Sequence, residues 1–552
     1  MNYYETHYIS NTYDTLYYKN YNYTINDNIM INNRAIHNDI VYYENNLVVG
    51  IKIRNMSKIA GIIHLNKNTK YGFNSRNMPY YIFTPLNNKY PNFLVASSLK
   101  SKSKQYIIIT FNKWPTTSKY PYGQCITLIG NIDNCENIYN VLLYKYNLVF
   151  NTLKIDHNTI TNHKNIDINN ITYNVFSIDP PNCTDIDDAL SINIYDTYIE
   201  IGIHITDVTY YINNIEHLLN NLTTSIYMKY RQINMLPNIY ANTICSLIEN
   251  TKHKCISVIF KFSHNYELLN CNIKLTNVYV EKNFSYNEAD SIIKCNNNKY
   301  KDLLNLWNFM INYNKSITDT HILIEKLMIL TNHKVAGILY NYDKINTILR
   351  VHEKNKNHIL HNFDNNKLNK YLEFKTFNSA IYQKNVYKPN HYGLNTNLYT
   401  HFTSPLRRIC DIITHLNIKN YLEHKPLLNI SDDKIEHINK VNKNIKKIYY
   451  DCKLVDLLNT HNNSILTIGY IVDFNYKKFI IYIPDLDIEY KIKYYSNKLD
   501  NLYSILKADN NLEIKYENIV KSYKKYDLVN LEIYFIKNSD KLEDKIKIKI
   551  LN

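Results

Sequence analysis

The chain has 552 residues, 45% of them hydrophobic, which is enough for two to four domains with buried cores. No apolar run approaches the length of a membrane span, and the start MNYYETHYIS lacks the basic and apolar segments of a secretory signal, which argues against membrane and secreted classes. A formal net charge of +15, from 64 basic against 49 acidic residues, favours a polyanionic partner, nucleic acid first.

The nine cysteines are scattered, with no C-x-x-C pair, so they read as reduced core residues of an intracellular, cytoplasmic protein rather than as a disulfide framework or zinc site. With 54 tyrosines and only 9 glycines, the composition is that of an AT-rich coding sequence, and no single tyrosine is a stacking platform by its type alone.

Taken in order, residues 1–50 are polar and rich in Tyr and Asn. Over 51–145, alternating runs such as LVVGIKI (47–53) and YIIITF (106–111), with turn residues between them, predict short strands and a β-barrel. The basic tip KSKSK (100–104) reads either as a solvated loop or as a phosphate contact. Next comes FSIDPPNCTDIDDAL (176–190), with four aspartates, Asp179, Asp185, Asp187 and Asp188, set among apolar residues. Carboxylates this close raise one another's pKa unless a cation sits among them. Hard oxygen donors with nothing softer nearby suit Mg²⁺, or Mn²⁺, better than zinc. In extended chain Asp185 and Asp187 face one way and Asp188 the other, so one segment can serve two metals. A Ca²⁺-binding or merely solvated loop is the alternative, although the glycine and terminal glutamate of an EF-hand are missing.

IEIGIHITDV (199–208) alternates strictly and predicts a half-buried strand beside the acidic loop, with Asp207 either a fifth acid near the site or, the plainer reading, capping or hydrogen-bonding the turn that follows. HILIEKLMILTNHKVAGILYN (321–341) has helical spacing and predicts a buried helix. In SPLRRICDIITHL (404–416), Ser404 and Pro405 predict a helix start. Ile409, Ile412, Ile413 and Leu416 form its buried stripe, and Arg407, Asp411 and His415 share the opposite face. Such an N-terminus beside an arginine is a phosphate site, whereas the plainer reading is an Arg407–Asp411 surface pair. Residues 464–552 alternate again and predict a C-terminal barrel.

D-P-P-x-x-x-D-I-D-D-A-L-S followed by EIGIHITDVTYYI (200–212), and far downstream HYGLNTNLYTHFTSPLRRICDIITHL (391–416), resemble the two signatures of the RNase II/RNase R, or RNB, exoribonucleases. KWPTTSKYPYGQCITLIGNI (113–132) is similar to the second cold-shock domain of the eukaryotic, exosome-type branch, and NNRAIHNDIVYYENN (32–46) to the end of the first. The resemblance covers essentially the whole chain. It implies an α+β protein with a partial first cold-shock OB domain (1–50), a second (51–145), a central RNB catalytic domain (146–460) and a C-terminal OB-type barrel (461–552). No room is expected for an N-terminal endonuclease domain.

By the same resemblance the chain is a processive 3′→5′ exoribonuclease that hydrolyses single-stranded RNA to nucleoside 5′-monophosphates, acting as a monomer. The four aspartates hold two Mg²⁺ ions, Asp187 is the most sensitive of them, and Arg407 contacts the scissile phosphate. Tyr227 in SIYMKYRQINMLP and Tyr286 in FSYNEAD stack the last nucleotides, Glu325 borders the RNA path, and Arg408 binds backbone phosphate or forms a structural pair. RVHEKN (350–355) matches a further family run, and the stretch before residue 321 is short enough to lack a strand pair. A glutamate that assists catalysis in bacterial members has no counterpart near 441–453, where Asp451 is close and Tyr449 takes its place. The rival readings are a non-catalytic RNA-binding protein of RNB architecture and a DNA-directed nuclease.

Overall fold

The computed structural model describes residues 34–551 apart from 45–46, 66–69, 102, 151–170, 213–214, 230, 354–362, 462, 476–477, 494–503, 509–510, 517–518, 537–538 and 541, together with three short strands before residue 34. Lys102 of the basic tip, the ends of the 32–46 segment and the last two residues of RVHEKN therefore lie outside the described residues. The chain divides into two compact units, residues 1–149 with 444–552, and residues 150–443. The architecture is α+β, built around barrel-like sheets.

In the first unit, Tyr3–Glu5, Thr15–Tyr18, Tyr21–Thr24, Ile40–Glu44 and Leu47–Ile53 form a five-stranded sheet. The run at 47–53, expected in the second domain, instead pairs antiparallel with Ile40–Glu44. Only two residues separate these strands in sequence, a spacing that favours a hairpin over a crossing to another sheet.

A closed barrel follows, made of Ile59–Ile63, Tyr80–Pro85, Phe93–Ala96, Gln105–Lys113 and Tyr122–Asn131. Ile59, Ile63, Phe83, Phe93, Ile107 and Ile109 fill it. Gly61 is required there, because a Cβ would come within 2.4 Å of the Thr84 carbonyl oxygen. At the basic tip, Lys104 is paired with Asp540, so this lysine is spent inside the unit.

The C-terminal region holds a five-stranded sheet, in the order Ile488–Lys493, Lys478–Ile483, Ile465–Phe474, Leu528–Phe535, Ile546–Ile550, and a separate three-stranded sheet over 504–523. Asp451 is buried here between Lys145 (2.8 Å) and the Tyr146 hydroxyl (2.7 Å).

The second unit is organised by another closed barrel, Tyr173–Asp179, Asp188–Ile194, Ile199–Thr206, Lys252–Phe262 and Leu268–Ser285, sealed by parallel pairing of the first and last strands. Ile199–Thr206 is buried at every position, not on one face as alternation suggests. Two of its polar residues are satisfied in place, whereas Thr206 Oγ1 is buried without a hydrogen-bond partner. His204 bridges Ser191 (2.9 Å) and Ser257 (2.7 Å), and Glu200 accepts from the Tyr173 hydroxyl (3.3 Å). Burial pushes the His204 pKa down to about 3, so the ring is neutral. Helices Tyr286–Lys294, Lys301–Tyr313 and Thr320–Tyr342 cover the barrel, packing Leu306, Phe309, Leu323 and Leu327 against Ile203 and Phe260. Residues 314–319 join the last two helices directly, with no strand between them.

The second-signature helix starts later than its sequence suggests. It spans Ile409–Leu422 with Arg408 at the N-cap position, and residues 404–407 form a turn. Asp411 and His415 are fully buried rather than on a solvent face. Among the described residues no helix is long and apolar enough to cross a membrane, and all nine cysteines are free.

Candidate active site

Barrel register brings the acidic residues together. Asp179 ends its strand opposite Ser285, and Asp188 begins the neighbouring antiparallel strand opposite Ile205, so both stand at the same end of the barrel. The loop between them is pinned by main-chain contacts. Ile186 N donates to Ser246 Oγ (3.0 Å), Leu247 N to the Ile186 carbonyl (3.0 Å) and Thr206 N to the Asp187 carbonyl (3.0 Å). Because Tyr286 follows Ser285, the same register delivers it to this end, where its half-buried hydroxyl lies in the field of Asp188 and Asp179.

The second signature docks onto the loop from the other side. Asp187 is buried, and both of its oxygens are engaged: Oδ1 accepts from Leu406 N (2.8 Å) and Oδ2 from Arg407 Nε (3.3 Å). Arg407 Nη2 also donates to Ser404 Oγ (2.9 Å). Main-chain bonds from Ser225 N to the Arg407 carbonyl and from Ile409 N to the Thr223 carbonyl, both 3.0 Å, tie this turn to the segment that leads into Ile226–Met228. That link places Tyr227 against the loop, with its hydroxyl donating to Asp185 Oδ2.

Electrostatics follow from crowding and burial. Burial first, and then the Asp185 charge, raise Asp179 to about 6, against a lowering contribution from the Ser177 hydroxyl. Burial raises Asp187 to about 7 despite Arg407 and the Leu406 N–H. Asp188 lies well above the usual carboxylate range, through burial and then the charges of Asp179 and Asp187. Asp179 Oδ2 is buried without a hydrogen-bond partner. An orphaned carboxylate oxygen among mutually repelling acids fits a hard divalent cation. Even so, among the described residues no three His, Cys, Asp or Glu side chains are gathered closely enough to hold a metal as they stand.

The remaining expected site residues divide. Tyr227 is 39% exposed and Tyr286 is half-buried. Glu325 is exposed one turn beyond His321, and the His321 ring stacks on Tyr286 with centroids 3.5 Å apart and planes at 15°. Arg408 is the exception. Its guanidinium is paired with the buried Asp411, Nη2 to Oδ1 at 2.9 Å, and Ser404 N donates to the same oxygen (2.7 Å). It is therefore a core ion pair, because a buried carboxylate needs its cation more than a surface phosphate would. This also replaces the Arg407–Asp411 pairing, since Arg407 lies outside the helix and turns to Asp187. Asp207 accepts from Thr209 Oγ1 (2.6 Å) and pairs with Lys419 (2.7 Å), so it is a structural acid. His321 carries no signal in sequence beyond standing four residues before Glu325.

The RNB domain model matches residues 166–311 and 308–424, and the Dis3-like cold-shock domain 2 model matches residues 80–147. The chain carries an RNB domain. Mouse exosome complex exonuclease RRP44 is 25% identical over 456 residues, covering 66% of this chain and 47% of its own length, so the RNB chain spans about half the length of such curated relatives. By fold it is similar to Mycoplasma genitalium RNase R in complex with ribose-methylated single-stranded RNA, with a TM-score of 0.73 at 16% identity over 97% of this chain and 98% of that one. It is also similar to yeast Ssd1, described as a pseudonuclease, with a TM-score of 0.64 at 15% identity over 93% and 81%.

Proposed function

We propose that this chain is a processive 3′→5′ exoribonuclease that hydrolyses single-stranded RNA to nucleoside 5′-monophosphates. The observation that carries this reading is the docking of the second signature onto the acidic loop, with Leu406 and Arg407 both on Asp187. It sets the Arg407 cation against Asp187 and within the field of Asp179 and Asp188, an arrangement suited to cleavage of a phosphodiester. The names of the relatives, exonucleases and RNase R, support the reaction class.

Asp179, Asp185, Asp187 and Asp188 would hold Mg²⁺ or Mn²⁺. Bound there, two such ions supply an activated water and neutralise charge on the departing 3′ oxygen. The chain's own groups do the rest. Arg407 is 45% exposed and keeps guanidinium N–H groups beyond those on Asp187 and Ser404, which meet charge developing on the phosphoryl oxygens. Asp187 orients that guanidinium. Tyr227, and Tyr286 on the face that His321 does not cover, offer aromatic surface to the terminal bases without reading their sequence. The Tyr227 hydroxyl holds Asp185 until a cation competes for it. We place the chain in the reducing cytoplasm, acting as a monomer; its nine free cysteines support that compartment.

A second reading, a non-catalytic RNA-binding protein, is favoured by the likeness to Ssd1. A time course on 5′-labelled single-stranded RNA, with Mg²⁺ and with EDTA, tests both. A short limit product without intermediates, appearing only with metal, supports the exonuclease. Intact but bound RNA in Mg²⁺ and Mn²⁺ alike selects the second reading. A DNA strand at equal salt should remain uncut.

A further inference from the structure

Three arginines lie within electrostatic reach of the partly buried ring of His401, and their charges, after burial, push its pKa well below the usual histidine range. Two have carboxylate partners: Arg407 has Asp187, and Arg408 has Asp411. The third, Arg350, has none among the described residues. It stands in the strand Leu349–Val351, opposite Tyr382 in Ile381–Gln383, and its main-chain N–H is spent on the Tyr399 carbonyl (2.8 Å). The guanidinium carbon lies 4.5 Å from the centre of the Tyr382 ring, and Nη1 is buried with no hydrogen-bond partner. Among the described residues no carboxylate forms an ion pair with it.

A largely sequestered guanidinium whose inner N–H groups lack an acceptor is costly. The nearby histidines do not supply one. His391 is held neutral by burial, with its pKa at about 4, and its Nδ1 is itself without a partner. The Tyr382 hydroxyl is bonded to His401 Nδ1 (2.6 Å). The Tyr382 ring lies against the guanidinium and offers it no hydrogen-bond acceptor of its own. Because Arg407 stands at the acidic loop, a strand ending there runs past neighbouring positive charge with further phosphates to bind.

We propose that Arg350 binds a backbone phosphate of the RNA, one other than the phosphate that Arg407 serves. The proposal rests on the RNA-directed reading above but not on hydrolysis.

The test uses the full chain in EDTA, with single-stranded RNA oligomers that carry one neutral methylphosphonate at each position in turn. In the wild type, one position besides the terminal linkage should lose affinity by about tenfold. In Arg350→Gln the natural RNA should bind about tenfold more weakly, the loss at that position should vanish, and the slope of log affinity against log salt should shrink by about 0.7. If Arg350 only braces Tyr382, the variant melts earlier while its slope and methylphosphonate profile match the wild type, and the proposal is overturned. Should Arg350→Gln not fold, Arg350→Lys carries the test: weaker binding confined to that position supports the phosphate contact, and unchanged binding everywhere overturns it. Inorganic phosphate that competes equally against wild type and Arg350→Gln would also count against it. A wild-type chain that binds no RNA overturns both readings, whereas intact binding with an unaltered Arg350 variant removes this one alone.

Discussion

Arg407 lies against the buried carboxylate of Asp187, Nε to Oδ2 at 3.3 Å, while the neighbouring Leu406 N–H takes Oδ1 at 2.8 Å. One aspartate thus joins two segments 220 positions apart. Asp187→Asn keeps the shape but removes the charge that orients the guanidinium. Turnover should fall by about 10²–10³-fold or more, with RNA affinity in EDTA retained. Joint loss of binding and turnover would make Asp187 a structural residue.

Tyr227 carries two separable roles, since its ring is exposed and its hydroxyl is on Asp185. Tyr227→Ala should lengthen the limit product, because about 1–3 kcal/mol of stacking per base is lost. Tyr227→Phe should leave product length unchanged and alter only the Mg²⁺ concentration needed for half-maximal rate. An unchanged product ladder from the alanine variant removes the stacking role.

Arg408 should behave as a core residue. Breaking its pair with Asp411, which is fully buried, by Arg408→Gln should cost about 3–5 kcal/mol of stability. Chemical denaturation reads that cost directly. A variant as stable as the wild type, with a reduced salt slope for RNA, would return Arg408 to the phosphate-binding role.

Without metal, the acidic loop should make stability fall as pH rises. Asp179 is raised from 3.8 to about 6, mainly by burial, and Asp187 to about 7. Between about pH 4 and 7 the folded state therefore holds protons that the unfolded state has released, and the slope of unfolding free energy against pH is negative for these groups. Their favourable contribution is complete below the unfolded value and lost as pH passes the raised values. In EDTA, Asp179→Asn should be relatively more stable than the wild type at pH 7.5 than at pH 4.5, by on the order of 1 kcal/mol. Added Mg²⁺ should reverse that advantage. Parallel melting curves for the two proteins across this range would contradict the assignment.

Much was determined by sequence alone. Four aspartates in apolar surroundings, a strand after them and a helical pattern with two arginines near its start are local patterns, and local chemistry marks them as an acidic site with a cation partner. Of the alternating runs, YIIITF entered a closed barrel, whereas LVVGIKI joined another sheet and the runs after residue 464, expected as a barrel, form two separate sheets, because closure depends on which strands pair. What only tertiary structure decided were the pairings. Alternation in 199–206 could not reveal a strand buried on both faces, because burial on the second face depends on which elements cover it. Nor could spacing tell Arg407 from Arg408. One is drawn out to Asp187 across the barrel mouth, and the other is drawn into the helix core by Asp411, since each charge goes where a buried counter-charge compensates its desolvation. That Arg350 has no carboxylate partner among the described residues became visible only once the other two arginines had theirs. A missing contact has no sequence signature, because it depends on every residue that could have made it and does not.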